Sequence, residues 1–183
     1  MLTCDSCGTT LYLKDKTLLN AGSAGEMHDS PMLFGLGDHV TFGKLHVDIQ
    51  GHARFSYGRG WWDEFWGTGK RGESLWISVD EGDVVVQYPL PADQSPRISR
   101  TARVGQIFEH HGAALRVTEH DRATCVAVRG SFDDVLYVGD SYDFINLSGD
   151  DGMLLSAEFW DGGESWFTGA WHDPFEIKVE VRG

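Results

Sequence analysis

An internal repeat is the feature of this 183-residue sequence that most limits its fold. The stretch WDEFWGTGKRGESLWISVDEG, from Trp62, aligns without a gap on YDFINLSGDDGMLLSAEFWDG, from Tyr142. The two stretches share aspartate, glycine and leucine positions, which are the pairs Asp63 and Asp143, Gly69 and Gly149, Gly72 and Gly152, Leu75 and Leu155, and Gly82 and Gly162. A repeat of this length is one supersecondary unit used twice.

The similarity extends upstream of the two stretches. GDHVTFGKLHV, from Gly37, is similar to GQIFEHHGAALRV, from Gly105, if two residues are inserted, so that both segments end in a Leu-x-Val strand. We therefore predict two meanders that each have one apolar face and bury those faces together.

The pattern between the shared glycines indicates β-strands. ESLWISVDEGDVVVQYPL reads as a hairpin in which Gly82 adopts a positive φ. No stretch carries a helical apolar stripe over three turns. The predicted fold class is all-β: two repeated antiparallel units form a pseudo-symmetric barrel or sandwich, preceded by a short ribbon-like segment.

Composition along the chain suggests four parts. We expect a ribbon-like segment over residues 1–30, a first β repeat over 31–90 and a second over 101–183. A linker or crossing loop over 91–100 separates the repeats, because PLPADQSPRISR holds three of the five prolines.

The charge balance narrows the choice of partner. The chain has 28 acidic and 15 basic residues and a formal net charge of −13, which disfavours nucleic acid and anionic membrane surfaces. No apolar run is long enough to span a bilayer, and no signal peptide is visible at the start. We expect a cytoplasmic protein whose partner is another protein or a cationic small molecule, with no nucleic acid and no direct membrane insertion.

Two cysteines near the amino terminus form half of a zinc ribbon. Cys4 and Cys7 lie in LTCDSCG, whereas the window for a second knuckle, SAGEMHDS, holds His28 and no cysteine. Three interpretations stay open: a degenerate ribbon without metal, a zinc site formed by Cys4, Cys7, His28 and a further ligand, and a redox pair. Cys125, in ATCVAV, reads as a core thiol.

The CDSCG knuckle, the WDEF stretch and the LWISVDEGDVVV hairpin together resemble the bacterial "domain of unknown function 4178" family. The resemblance covers most of the chain and implies the same all-β architecture. Members of that family often begin with a complete two-knuckle ribbon, from which this chain departs. The family has no established activity and is associated with polyamine-synthesis and membrane-stress genes, so the resemblance supplies no catalytic residue.

The aromatic stretch GRGWWDEFWG holds the candidate binding residues, which are Trp61, Trp62, Asp63, Glu64, Phe65 and Trp66. Exposed aromatic rings beside carboxylates suit a basic or cationic partner. The second copy offers Tyr142 and Asp143. Because neighbouring residues of a strand face opposite ways, Trp61 and Trp62 cannot both face inward unless the strand is bulged. We predict that one of the two is exposed and favour Trp62, which lies on the face of Glu64.

The same alternation argues against an enzyme. Asp63 and Glu64 would face opposite sides of a strand, and the sequence has no nucleophile elbow, phosphate loop or metalloprotease helix. The function predicted from sequence is a non-catalytic cytoplasmic binding or scaffold protein. The alternative is a small-molecule-binding β-barrel for a cationic metabolite such as a polyamine.

Overall fold

The computed structural model describes residues 2–3, 9–14, 17–23, 25, 27 and 30–181 of the chain. Its strands are β1 (Leu2–Thr3), β2 (Thr9–Lys14), β3 (Thr17–Ser23), β4 (His39–Phe42), β5 (Leu45–Ser56), β6 (Trp61–Gly69), β7 (Ser74–Asp80), β8 (Asp83–Pro89), β9 (Ile107–His110), β10 (Ala113–Gly130), β11 (Ser141–Ser148), β12 (Met153–Trp160), β13 (Gly163–His172) and β14 (Lys178–Glu180). Two 3-10 turns, Asp150–Gly152 and Pro174–Glu176, complete the regular structure of these residues. The predicted all-β fold is confirmed.

The amino-terminal strands β1, β2 and β3 form a separate antiparallel sheet. Cys4, Cys7 and His28 lie outside the described residues, so the zinc-ribbon hypothesis stays a prediction. Within the described part of the chain, no group of three or more His, Cys, Asp or Glu side chains is placed to hold a metal ion. That part also contains no helix long and apolar enough to cross a membrane.

The other strands form one antiparallel sheet that closes on itself. Pairing runs in the order β5, β6, β7, β8, β13, β12, β11, β10, and the additional pairing of β10 with β5 closes an eight-stranded ring. Strands β4 and β14 continue the sheet outside the ring beside β5, and β9 does so beside β10. Of the two predicted alternatives, barrel or sandwich, the structure therefore shows the barrel.

Strand register confirms the duplication. Asp63 pairs with Val79 between β6 and β7, and Asp143 pairs with Phe159 between β11 and β12, an offset of 80 residues in both strands. At the seam between β8 and β13, Tyr88 pairs with Thr168, which is its own counterpart in the other repeat. Equivalent residues meet in this way when a two-fold axis passes through the seam.

The upstream alignment differs from the prediction. The amide of Gly37 donates to the carbonyl of Ile49, and the amide of Gly105 donates to the carbonyl of Val117, so β4–β5 matches β9–β10 at a constant offset of 68 residues. The predicted two-residue insertion is wrong, because it matched Val47 to Val117 on side-chain similarity. The extra length of the second repeat lies later: β10 has 18 residues whereas β5 has 12, and the connection 131–140 after β10 is longer than the connection 57–60 after β5.

The apolar faces of the two repeats are not buried together, which corrects a second prediction. Each repeat has its own cluster on the outside of the ring. Outer cluster 1 consists of Phe34, Val40, Phe42, Val47, Ile49, Phe65, Leu75, Ile77, Val84 and Val86. Outer cluster 2 consists of Ile98, Ala102, Leu115, Val117, Ile145, Leu147, Leu155, Ala157, Phe159 and Trp166.

The extra strands and loops explain this difference. Ile177 and Val179, from the carboxy-terminal segment, pack on outer cluster 1, and Ile98 from the proline-rich loop belongs to outer cluster 2. Each apolar face is thus covered from outside the ring. Because side chains alternate along a strand, the opposite face of every ring strand points into the barrel. The interior is consequently free to carry polar groups.

Candidate functional site: the barrel lumen

The inner faces of the ring strands surround a space that we call the lumen. Alternation along β6 turns Trp62 and Glu64 inward, and alternation along β12 does the same for Ser156 and Glu158. The central lining residues are Trp62, Glu64, Ser78, Val85, Gln87, Tyr142, Phe144, Asn146, Ser156 and Glu158. Both repeats contribute to this lining.

The lumen has two parts that meet at the same polar residues. A narrow part of about 100 Å³ reaches Asp80, Asp83 and Glu119 at one end. A wider, open part of about 970 Å³ extends past Asp133 and Trp160 at the other. Both parts are lined by Glu64, Gln87, Tyr142, Ser156 and Glu158. The two glutamates therefore lie where the narrow and wide parts join.

Each repeat supplies one of these glutamates, from different positions. Glu64 pairs with Ser78 between β6 and β7, whereas its counterpart Phe144 pairs with Glu158 between β11 and β12. The duplicated backbone thus carries its carboxylate on the first strand of the pair in repeat 1 and on the second strand in repeat 2. A single lumen receives both.

The environment of the pair favours the protonated acids. Burial raises the pKa of Glu64 to about 7, although the indole Nε1 of Trp62 donates a hydrogen bond of 2.9 Å to Glu64 Oε1 and opposes the rise. Burial and then the charge of Glu64 raise the pKa of Glu158 to about 8. Two like charges in one poorly solvated site do not readily ionise together. Near neutral pH this pair of glutamates therefore holds protons.

Three further buried polar atoms of the lumen lining have no hydrogen-bond partner among the described residues, and they belong to Asp80, Gln87 and Tyr142. The Gln87 side chain is 8% exposed and its Oε1 is unpaired, as is the buried hydroxyl of Tyr142. Burial and then the charge of Glu158 raise the pKa of Tyr142. The Tyr142 hydroxyl and the Glu158 carboxylate nevertheless make no hydrogen bond of normal geometry. A buried unpaired acceptor costs about 1–3 kcal/mol, which a bound molecule can recover.

The aromatic stretch of the sequence is divided between the two faces of β6. Trp62 and Trp66 are buried in a third cluster, on the lumen side of the sheet, which also contains Phe55 and Phe144. Phe65 belongs to outer cluster 1. Trp61 is 55% exposed and Trp62 only 9%, so one of the pair is exposed as predicted, but the choice of Trp62 is wrong. Trp62 does share the face of Glu64, but that face points into the lumen rather than to solvent.

The aspartates predicted for binding face outward and are already paired. Asp63 Oδ1 lies 2.8 Å from His52 Nε2 and 2.8 Å from Arg54 Nε. Burial alone would raise the pKa of Asp63, but these two hydrogen bonds hold it below its ordinary value. In repeat 2, Asp143 accepts from Arg122 Nε at 2.8 Å and from Arg100. Of the predicted site residues, the lumen thus receives Trp62, Glu64, Trp66 and Tyr142.

Sequence reasoning missed Glu158 and Gln87. The alignment of the repeats contained a signal for Glu158, because it falls on Ser78, three residues after an aligned leucine and therefore on the strand face opposite to the shared leucines. That signal was not used because the shared face was expected to be apolar core. Because Leu155 faces outward, alternation along β12 turns Glu158, three residues later, into the lumen.

A model of the family described as "Domain of unknown function (DUF4178)" matches residues 35–174. The chain belongs to the DUF4178 family. The match covers β4 to β13, so both DUF4178 repeats lie within it, and Cys4, Cys7 and His28 precede it. The family resemblance predicted from sequence is confirmed. No curated protein and no solved structure matches the chain.

Proposed function

We propose that the chain is a non-catalytic cytoplasmic binding protein whose lumen takes a small organic cation such as a polyamine. The observation that carries this proposal is the pair Glu64 and Glu158, which line the same two cavities. Within the described part of the chain, no basic side chain lowers the pKa of either carboxyl group. An ammonium group of a ligand would supply the missing positive charge.

The energetics favour a cation over a neutral ligand. Carboxylates removed from water require a counter-charge and hydrogen bonds to remain ionised. An ammonium ion has only donors to offer, and the lumen presents acceptors that can use them. Besides the two carboxylates, these are the unpaired Oε1 of Gln87 and the hydroxyl of Tyr142.

The apolar part of the lining suits the hydrocarbon part of such a ligand. The rings of Trp62 and Phe144 contact each other edge to face, with centroids 5.3 Å apart, and both line the narrow part of the lumen. Aromatic faces attract organic cations when water is excluded, by about 2 kcal/mol or more. Methylene groups between the amines of a polyamine would pack on the same rings.

The entrance is acidic as well. Asp80, Asp83 and Glu119 line the outer end of the narrow part. Together with the formal net charge of −13, they raise the local concentration of cations and repel phosphorylated or carboxylated metabolites.

The chemistry of the thiol in the lumen supports the non-catalytic part of the proposal. Cys125 lines the wider part, and burial together with the charge of Glu64 raises its pKa to about 12. The thiolate is the nucleophilic form, so this cysteine is inert near neutral pH. The scaffold role predicted from the aromatic stretch now depends on Trp61, whose ring lies 5.7 Å from the guanidinium of Arg54.

Calorimetric titration of the full chain with spermidine at pH 8 tests the proposal. We expect saturable binding that Glu64→Gln and Glu158→Gln each weaken at least about tenfold, which corresponds to roughly 1.4 kcal/mol. Glu176→Gln, which removes an exposed carboxylate outside the barrel, is the matched control and should bind normally. Absence of heat at millimolar spermidine, or unchanged affinity in both lumen variants, would rule the proposal out.

A further inference from the structure

The two repeats differ at the outer edge of the sheet. In repeat 1, β14 pairs antiparallel with β4, so that Val179 lies opposite Val40 and Lys178 lies opposite Thr41. The counterpart of β4 in repeat 2 is β9, which pairs with β10 on one side. In the described part of the chain no strand pairs with its other side.

The open edge leaves apolar surface uncovered. Ile107 of β9 is 56% exposed, and Val104 beside it is also exposed. Phe108 is partly buried against outer cluster 2, as Val40 is buried within outer cluster 1. Ile177 and Val179 pack on outer cluster 1, and within the described residues outer cluster 2 receives no comparable strand. Unpaired edges of this kind readily accept an added strand.

We propose that β9 docks an extended segment of another protein, which pairs with it antiparallel as β14 pairs with β4. The segment carries a lysine or arginine opposite Glu109 and apolar residues opposite Phe108 and Ile107. This surface is separate from the lumen, so the inference does not depend on the proposed ligand.

The register of β14 fixes that chemistry. The offset of 68 residues places Phe108 where Val40 lies, Glu109 where Thr41 lies and Ile107 where His39 lies. A docked segment in the register of β14 therefore puts its counterpart of Lys178 opposite Glu109, where opposite charges stabilise a cross-strand pair. Its counterpart of Glu180 falls opposite Ile107, where an apolar residue fits better.

Charge also argues for a different protein over a second copy of this chain. The strand Ile107–His110 contains no lysine or arginine to meet Glu109 if two β9 edges pair with each other. Two copies would in addition each bring a formal charge of −13, whereas a basic segment is attracted.

The chain itself supplies a probe. A synthetic peptide with the sequence of residues 174–181 and the change Glu180→Val keeps Ile177, Lys178 and Val179 in register and places an apolar residue opposite Ile107. Hydrogen exchange of the full chain with and without this peptide measures docking. We expect slower exchange of the β9 amides, with β4 unchanged, and no effect from the same peptide carrying Val179→Lys.

A charge exchange tests the register. Glu109→Lys in the protein lies on an exposed position and should weaken peptide binding at least about tenfold, and Lys178→Glu in the peptide should restore it. No protection of β9 at millimolar peptide would overturn the proposal, as would protection of β4 alone. Protection of β9 in a self-associated protein without peptide would assign this edge to a second copy and would also overturn it.

Discussion

The two repeats contain the same ion pair in two different surroundings. Arg54 Nε lies 2.8 Å from Asp63 in repeat 1, and Arg122 Nε lies 2.8 Å from its counterpart Asp143 in repeat 2. The arginine side chain is 7% exposed in the first pair and 65% exposed in the second. Duplication has kept the cross-strand geometry while burial has changed, so equal distances do not imply equal contributions to stability.

The side chains that face the lumen also differ between the two repeats. Equivalent inward positions hold Trp62 and Tyr142, Glu64 and Phe144, and Ser78 and Glu158, so the backbone symmetry is not repeated in the side chains. If all four of positions 64, 78, 144 and 158 carried carboxylates, these would repel one another strongly. Instead Ser78 and Phe144 stand at two of them and leave room for a ligand. The asymmetry between the repeats, rather than either repeat alone, creates the candidate site.

The largest expected effects test whether the two outer clusters are equivalent cores. Leu75→Ala and Leu155→Ala should each lower the free energy of unfolding by about 2–5 kcal/mol, because both leucines are buried and truncation leaves a cavity. Urea denaturation measures this, and Leu33→Ala at an exposed site should change it by less than about 0.5 kcal/mol. A cost at one leucine alone would break the equivalence of the repeats.

Removing the paired aspartates should cost different amounts of stability in the two repeats. Asp63→Ala leaves Arg54 and His52 without their shared partner in a buried setting and should cost about 3 kcal/mol. Asp143→Ala removes a pair whose arginines are exposed and should cost about 1 kcal/mol or less. Chemical denaturation of both variants under the same salt conditions decides the point. Equal costs would mean that burial does not distinguish the two pairs.

Titration of the two lumen glutamates gives an effect that is spread over several pH units. Their pKa values are raised to about 7 and about 8 in the folded chain, whereas the unfolded chain releases these protons near pH 4–5. The folded state therefore binds more protons between these limits, and its stability should fall as pH rises from about 5 to 8, by at most about 1.4 kcal/mol per pH unit for each proton.

Across this pH range, the denaturation midpoint should change less with pH in the double variant Glu64→Gln and Glu158→Gln than in the unmodified chain. Asp63, whose pKa is lowered, contributes with the opposite sign at acidic pH, and His110 and His172, whose pKa values burial lowers, do so below about pH 6.5. The difference between the unmodified chain and the double variant therefore isolates the glutamates, and the same pH dependence in both would contradict the shared protonation of the pair.

The sequence was sufficient for the barrel and not for its interior. The offset of 80 residues, with Leu75 on Leu155 and Gly82 on Gly162, predicted two equivalent meanders, and both turn glycines have positive φ values near 100°. Strand alternation separates inner from outer side chains but does not say which face is which. Because a core is normally apolar, the pattern predicts the leucines on the inside, and Glu158 and Gln87 are then not expected there. Glu64 is a candidate from sequence only as part of an exposed aromatic patch.

The smallest predicted effect concerns Trp61, where the repeats hold very different residues on one backbone. Its counterpart in repeat 2 is Ser141, which occupies the same end of β11 that Trp61 occupies in β6. Because the indole is 55% exposed, Trp61→Ser should change the free energy of unfolding by about 1 kcal/mol or less. The loss of the ring beside Arg54 accounts for part of that change.

Trp62→Ala, at a buried position with a hydrogen bond to Glu64, is the contrasting variant and should cost about 3–5 kcal/mol. Acrylamide quenching should fall when Trp61 is removed and stay high when Trp62 is removed. If both variants destabilise the chain equally, Trp61 is part of the core and repeat 1 offers no aromatic surface that repeat 2 lacks at this position.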